Sequence, residues 1–314
     1  MNAQFRSLSV TAPLSPAIER VKAVLFRPFD LGRWLVIGFS AWLALLGQGG
    51  GGGAGGNYNF GNRHHDFRHA LNEARDYVMS NLGWIVPLAV GLFVLGLAIW
   101  VVIMWLSSRG QFMFLHCVAT NRAEVRVPWH GYLAEANRLW LFRLVLGLVS
   151  FVFVAPAVVG TIVLILVMVA GQGVSWPLVL GAIGAFLAAV CFGGLFGVIG
   201  KLTRDFVVPV MALRRIPCRA AWREFWQLTF GHRLDLVFYL LFQALLAIVV
   251  GLALVVLILV TCCVAGCLMA LPYLGTVLLL PVFVFDRAYS LYYLAQFGPD
   301  WELISAEPPP QAVV

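Results

Sequence analysis

LWLFRLVLGLVSFVFVAPAVVGTIVLILVMVA, Leu139–Ala170, decides the fold. Its one charge is Arg143, close to its start. An apolar run of more than about 18 residues is a membrane-span candidate. Lipid offers no partner to a free peptide group, so such a run must satisfy its backbone internally as a helix. The run is too long to cross a ~30 Å hydrocarbon core straight, and Pro156 at its middle marks the expected kink. Five further apolar runs lie to either side: Leu31–Gly47, Trp84–Leu106, Pro177–Gly200, Leu234–Val260, and Pro272–Leu294 with Pro281 inside. The first is short for a bilayer, which implies local thinning or a boundary inside the glycine run that follows it. The expectation is an all-α integral membrane protein with six transmembrane helices.

Composition points the same way. Of 314 residues 61% are hydrophobic and 11% charged, and the mean hydropathy is +0.91. Soluble domains carry about 25% charged residues. The net charge of +7 is therefore interpreted through topology and not as a nucleic-acid footprint. Three of the 21 Lys and Arg, namely Arg63, Arg68 and Arg75, fall in the connections on one side; the rest gather on the other. Cytoplasmic loops carry such an excess. The expectation is a bacterial inner-membrane protein with both termini in the cytoplasm and the 48–83 loop in the periplasm. The first apolar run follows a basic segment and is expected to anchor the chain rather than to be cleaved.

A repeating pattern accompanies the spans. Units of about 14–122, 123–215 and 216–298 each hold a short amphipathic helix, an outgoing span, a returning span and an apolar continuation. The spans thus form three helical hairpins, each preceded by an amphipathic interfacial helix, within one domain over 1–300; 301–314 is expected to be a disordered cytoplasmic tail. The three amphipathic stripes are Ile18, Val21, Val24 and Leu25; Trp129, Leu133, Ala136 and Trp140; and Trp222, Phe225, Trp226 and Thr229. Their polar faces carry Arg20 and Lys22, then Arg138, then Arg219 and Arg223, a set suited to anionic headgroups. The continuations are Gln111–Ala119, Phe206–Leu213 and Ala288–Phe297, each behind charged residues: Arg109, Arg204 with Asp205, and Asp286 with Arg287. If the returning helices converge, these charges form one cluster at the inner boundary. It is either a paired structural lock or an ion relay, and the lock is expected because an ionisable group near lipid usually has a partner. Asp286 should pair with Arg204 or Arg287, and Asp205 with an Arg of another unit.

Other motifs are weaker. Gly181, Ala185, Ala189, Gly193 and Gly197 recur every four residues, a spacing that lets a second helix backbone approach, from this chain or from another copy. His65, His69 and Glu73 stand at helical spacing in the outer loop, but the catalytic zinc form His-Glu-x-x-His is absent; a solvated charged face is expected and no metal. The glycine run Gly49–Gly56 lacks the Lys-Ser or Lys-Thr of a phosphate loop and is expected to be a linker. Cys262, Cys263 and Cys267 are expected as packing residues; a periplasmic disulfide is the other reading. His116, His130 and His232 stand isolated in sequence.

The stretch RPFDLGRW (Arg27–Trp34), the short first span and GGGGGAGG (Gly49–Gly56) give a layout that looks like bacterial multi-pass families of uncharacterised role. It is similar in architecture to the membrane domain attached to some glycerophosphoryl diester phosphodiesterases. The resemblance implies a six-span fold with interfacial helices and supplies no catalytic residues. The functional expectation is a non-enzymatic scaffold or accessory subunit, without cofactor, whose basic inner face meets anionic lipid or a protein partner. The alternative is a small transporter or channel gated at the Asp205/Asp286 level. Apart from Gln243 the mid-span positions are nearly all apolar, which disfavours a conduction path.

Overall fold

The computed structural model describes residues 8–46, 76–77, 79–169, 175–261 and 264–304. The glycine run, His65, His69 and Glu73, Cys262 and Cys263, and residues 305–314 lie outside the described residues. Every regular element among those described is helical. In chain order they are α1 (Leu14–Val21), extended by a π turn at Lys22–Phe26; α2 (Leu31–Leu45); α3 (Leu82–Thr120); α4 (Arg126–Gly131); and α5 (Leu133–Val169). Then follow α6 (Trp176–Leu202), a π turn (Thr203–Val207), α7 (Val208–Arg214), α8 (Cys218–Thr229), α9 (Arg233–Val260), α10 (Val264–Ala270), α11 (Pro272–Leu278), α12 (Leu280–Ala295) and a 3-10 turn, Pro299–Trp301.

Among the described residues four helices are long and apolar enough to cross a membrane: Leu82–Thr120, Leu133–Met168, Trp176–Arg214 and Arg233–Val260. Their apolar side chains stay largely uncovered; Phe93, Phe151 and Leu252 are all exposed. Helices apolar all round need an apolar medium, and here the protein supplies little of it. The other two expected spans differ. α2 has only 15 residues, too few for ~30 Å at 1.5 Å each. The sixth is broken at Leu279 into α11 and α12. Pro281, with no N–H to give, stands in the first turn of α12, where a helix tolerates it.

Two compact units divide the chain: Met1–Gly53 with Met104–Phe142 and Gly200–Val314, and Ala54–Ile103 with Arg143–Ile199. Three of their boundaries, at Ile103/Met104, Phe142/Arg143 and Ile199/Gly200, fall within helices rather than between the sequence units. The core lies in the first. It is built from the apolar continuations of α3, α6–α7 and α12 and from the amphipathic segments: Met113, Cys117 and Val118, Phe206 to Val208, and Ala288 to Ser290 are fully covered. Two of the continuations do run on from their spans, α3 as one helix of 39 residues, about 58 Å long. An aromatic nucleus joins them. Phe206 stacks on Phe225 of α8 at 5.0 Å, and Tyr239 lies 4.6 Å from Tyr293.

The expected amphipathic stripes are buried only in part. In α1 and its π turn Val24 and Leu25 of the stripe are buried together with Ala17 and Arg20, while Ile18 is 46% exposed. In α8 the buried positions are Cys218, Ala221, Phe225 and Thr229, and Trp226 faces out. The second segment is no separate interfacial helix: after the short α4, residues from Leu133 run without interruption into the span. The expected tail also starts too early, since Ile304 is buried and the Arg214 guanidinium lies 4.4 Å from the Trp301 ring.

α2 is clamped in this core. A Cβ on Gly110 of α3 would stand 2.4 Å from Ala44 N and 2.5 Å from Leu43 C, and one on Gly38 would stand 2.7 Å from Val277 Cγ2 of α11. At Gly110 the neighbouring atoms are backbone, and only glycine permits that approach. The expected small-residue seam on α6 is much looser. A Cβ on Gly181 would meet Leu164 of α5 at 3.4 Å, but Gly193 and Gly197 face nothing within 4 Å.

A candidate site at the buried charge cluster

The charged level forms from four of its five expected members, all in the first unit. Arg204 and Asp205 sit in the π turn Thr203–Val207, a rare geometry that recurs at functional sites. Asp205 is 1% exposed. Its Oδ1 accepts from Arg204 Nε at 3.2 Å, and its Oδ2 accepts from Lys201 Nζ at 3.0 Å and from Tyr239 Oη at 3.1 Å. Gln243 Nε2 in turn donates to Tyr239 Oη at 3.3 Å. Asp286 Oδ2 accepts from Arg204 Nη2 at 2.6 Å, and Lys201 Nζ lies 3.9 Å from its Oδ1.

Pairing thus follows the expectation for Asp286 and departs from it for Asp205, whose cationic partners come from its own stretch of chain. Lys201 was legible as an i, i+4 partner of Asp205. Tyr239 was not, because its contact depends on α9 packing beside the π turn. Arg287 is 5% exposed, and its Nη1 donates to the Arg204 carbonyl. Its Nε and Nη2 have no hydrogen-bond partner among the described residues. Beside it a small cavity of about 30 Å³, partly open to solvent, lies between α2, α3, the π turn and α12.

Arg109 does not join this cluster. Its guanidinium lies 4.2 Å from the Trp105 ring and 4.8 Å from Trp129, a cation–π sandwich that gives an interfacial cation a partner without an acid. Arg20 also departs from its expected place. It is buried, and donates from Nε to Val118 O at 3.0 Å and from Nη2 to Ala119 O at 2.7 Å. It caps the last carbonyls of α3, where a helix end favours a cation, so it cannot face lipid. Arg33 extends this cap, donating to the Asn121 carbonyl at 3.0 Å; Asn121 itself has φ +57°.

Lys22, Arg138, Arg219 and Arg223 are exposed, as expected. Lys22 pairs with Glu19 at 2.8 Å and holds that carboxyl below its ordinary pKa, chiefly through the hydrogen bond. On α8, Arg219, Arg223 and Trp226 share one outward face, and Phe230 follows it. Behind that face burial pushes the Cys218 thiol up to about 12. Arg214 and Arg215 are held by Glu224 at 3.3 Å and Glu135 at 3.5 Å. Two of the isolated histidines have partners: His232 Nδ1 lies 2.9 Å from Asp235 Oδ2, and His130 Nδ1 lies 3.0 Å from the Arg126 carbonyl. Among the described residues no group of three or more His, Cys, Asp or Glu could hold a metal.

Residues 8–280 match the family of unknown function DUF7544. The chain belongs to that family. No curated protein and no solved structure matches it.

Proposed function

We propose that this DUF7544 member is a non-enzymatic, multi-pass component of the bacterial inner membrane. It acts as a scaffold or accessory subunit whose basic cytoplasmic face holds anionic lipid. In this reading both termini are cytoplasmic and the chain crosses six times as three hairpin units. α2 and the α11–α12 pair make the two irregular crossings, a layout akin to the membrane domain of the glycerophosphoryl diester phosphodiesterases. The observation that carries the lipid role is the outer face of α8. Arg219, Arg223, Trp226 and Phe230 recur there at i, i+4, i+7 and i+11, all exposed, while Phe225 and Ala221 opposite them are buried. Guanidinium groups beside exposed aromatics are the pattern of a helix lying at the headgroup level. Against the transporter alternative stands the cluster itself, where both carboxylates are engaged by Lys201 and Arg204.

Each basic residue near an anionic surface contributes about 1 kcal/mol. Reversing Arg219 and Arg223 to Glu should therefore reduce co-purified anionic lipid severalfold relative to zwitterionic lipid. Native mass spectrometry of protein extracted from mixed membranes measures this ratio. Equal retention of the two lipid classes by the wild-type protein would refute the lipid role and leave a protein partner for this face.

A further inference from the structure

We propose that the cavity beside Arg287 is a binding site for a phosphodiester monoanion, with the Arg287 side chain as its main anchor. The charge count comes first. Lys201, Arg204 and Arg287 bring three positive charges and Asp205 and Asp286 two negative ones, so the cluster holds one cation in excess. Lys201 and Arg204 take up the carboxylate oxygens, whereas Arg287 has no carboxylate within ion-pair distance among the described residues. A cation removed from water without a counter-ion is strongly disfavoured.

Geometry names the missing partner. Nη1 of Arg287 is committed to the Arg204 carbonyl, which leaves Nε and Nη2 as the unpartnered pair. These two N–H groups form one edge of the planar guanidinium and point the same way. They make the fork that takes two oxygens of a phosphate or carboxylate side by side. Arg287 lines the cavity, and so does Gln111, which is 4% exposed and whose Oε1 also has no hydrogen-bond partner among the described residues. A half-turn of that amide presents Nε2 as a further donor.

The remaining walls choose between anions. Leu45, Phe114 and Phe283 give it apolar walls, and Arg204 and Asp286 also line it. A charged end beside apolar walls fits an amphiphile whose head carries a single negative charge, which is the charge of a phosphodiester. Asp286, which also lines the cavity, disfavours a doubly charged anion. The site differs from the α8 face, being a single recessed cavity where that face is a convex helix surface. Only the lipid source of the phosphodiester rests on the membrane reading above.

Thermal unfolding of the purified full chain in a phosphate-free detergent tests the proposal. Dihexanoyl phosphatidylglycerol, inorganic phosphate and neutral dihexanoylglycerol are titrated separately. The expected result is a saturable rise in Tm with the phospholipid, a weaker rise with inorganic phosphate and none with the neutral lipid. A comparable response to both phosphorus compounds would overturn the phosphodiester assignment and leave a site for free phosphate. Arg287→Gln should weaken phospholipid binding at least tenfold, roughly one charged hydrogen bond's worth. Because that variant loses a buried contact, Gln111→Met gives the independent arm: its Oε1 has no hydrogen-bond partner among the described residues to lose, so it should fold normally and bind about threefold to tenfold more weakly. Wild-type affinity in both variants, or no response to either phosphorus compound, would overturn the proposal. Arg219→Glu with Arg223→Glu should leave this saturable binding unchanged. A loss of bulk anionic enrichment there, with the Tm response intact, separates failure of the α8 reading from failure of this one.

Discussion

Arg20 shows how a residue that looks interfacial is claimed by the core. From sequence it belongs to the polar face of an amphipathic helix with Lys22. In the fold its guanidinium closes the C-terminus of α3 through two short hydrogen bonds to Val118 and Ala119. A hydrogen bond from a charged donor contributes about 1.5–3 kcal/mol, and a buried carbonyl left without its partner costs more than one facing water. Arg20→Ala should therefore lower stability by about 3 kcal/mol. Arg20→Lys should recover only part of that, since an ammonium cannot reproduce the fork. Lys22→Ala, which removes an exposed ion pair, should change stability by less than about 1 kcal/mol. Thermal unfolding in detergent ranks the three, and an Arg20→Ala protein as stable as Lys22→Ala would contradict the cap. The Asp205 cluster teaches the same lesson: its i, i+4 lysine was legible, and the Tyr239 hydroxyl across the fold was not.

At the level of elements, the two glycine patterns exchange importance. The four-residue repeat on α6 was the visible signal, yet Gly193 and Gly197 have open space before them. Gly110, which belongs to no repeat, sits against the backbone of Leu43 and Ala44. Sequence shows spacing; it does not show which helix comes close. Overpacking a tight contact costs about 1–3 kcal/mol. Gly110→Leu should therefore reduce folded yield and lower the melting temperature sharply, whereas Gly193→Leu should fold as a single chain much as the wild type does. Size-exclusion chromatography with thermal unfolding reads both. Equal damage from the two substitutions would mean that Gly193 packs against a second copy. The break of the sixth run at Leu279 and the fusion of the second amphipathic segment into α5 were likewise unreadable, because turn-by-turn continuity depends on neighbours as much as on propensity.

For the whole molecule, the distribution of Lys and Arg is the one long-range signal. It predicts the 48–83 connection outside and both termini inside. Cysteine placed at Asn57 should react with a membrane-impermeant maleimide in intact spheroplasts, and cysteine placed at Pro310 only after lysis. The native thiols are first replaced, Cys218 among them; its burial already makes it a poor nucleophile. Labelling of the Pro310 position from outside would invert the topology.

The amino-acid pattern alone reveals the medium and the material: helices, apolar all round in four long runs. That much follows because lipid imposes backbone satisfaction on each segment separately, so the signal is local. It also marked Arg204, Asp205, Asp286 and Arg287 as charges that need partners. Only the tertiary structure decided which partners they find. It put Arg109 between two tryptophans, Arg20 on a helix end and Lys201 with Tyr239 on Asp205, and it left one edge of Arg287 facing a cavity. Such choices depend on helices distant in sequence converging where the chain leaves the apolar medium. No short-range pattern records which of them will meet.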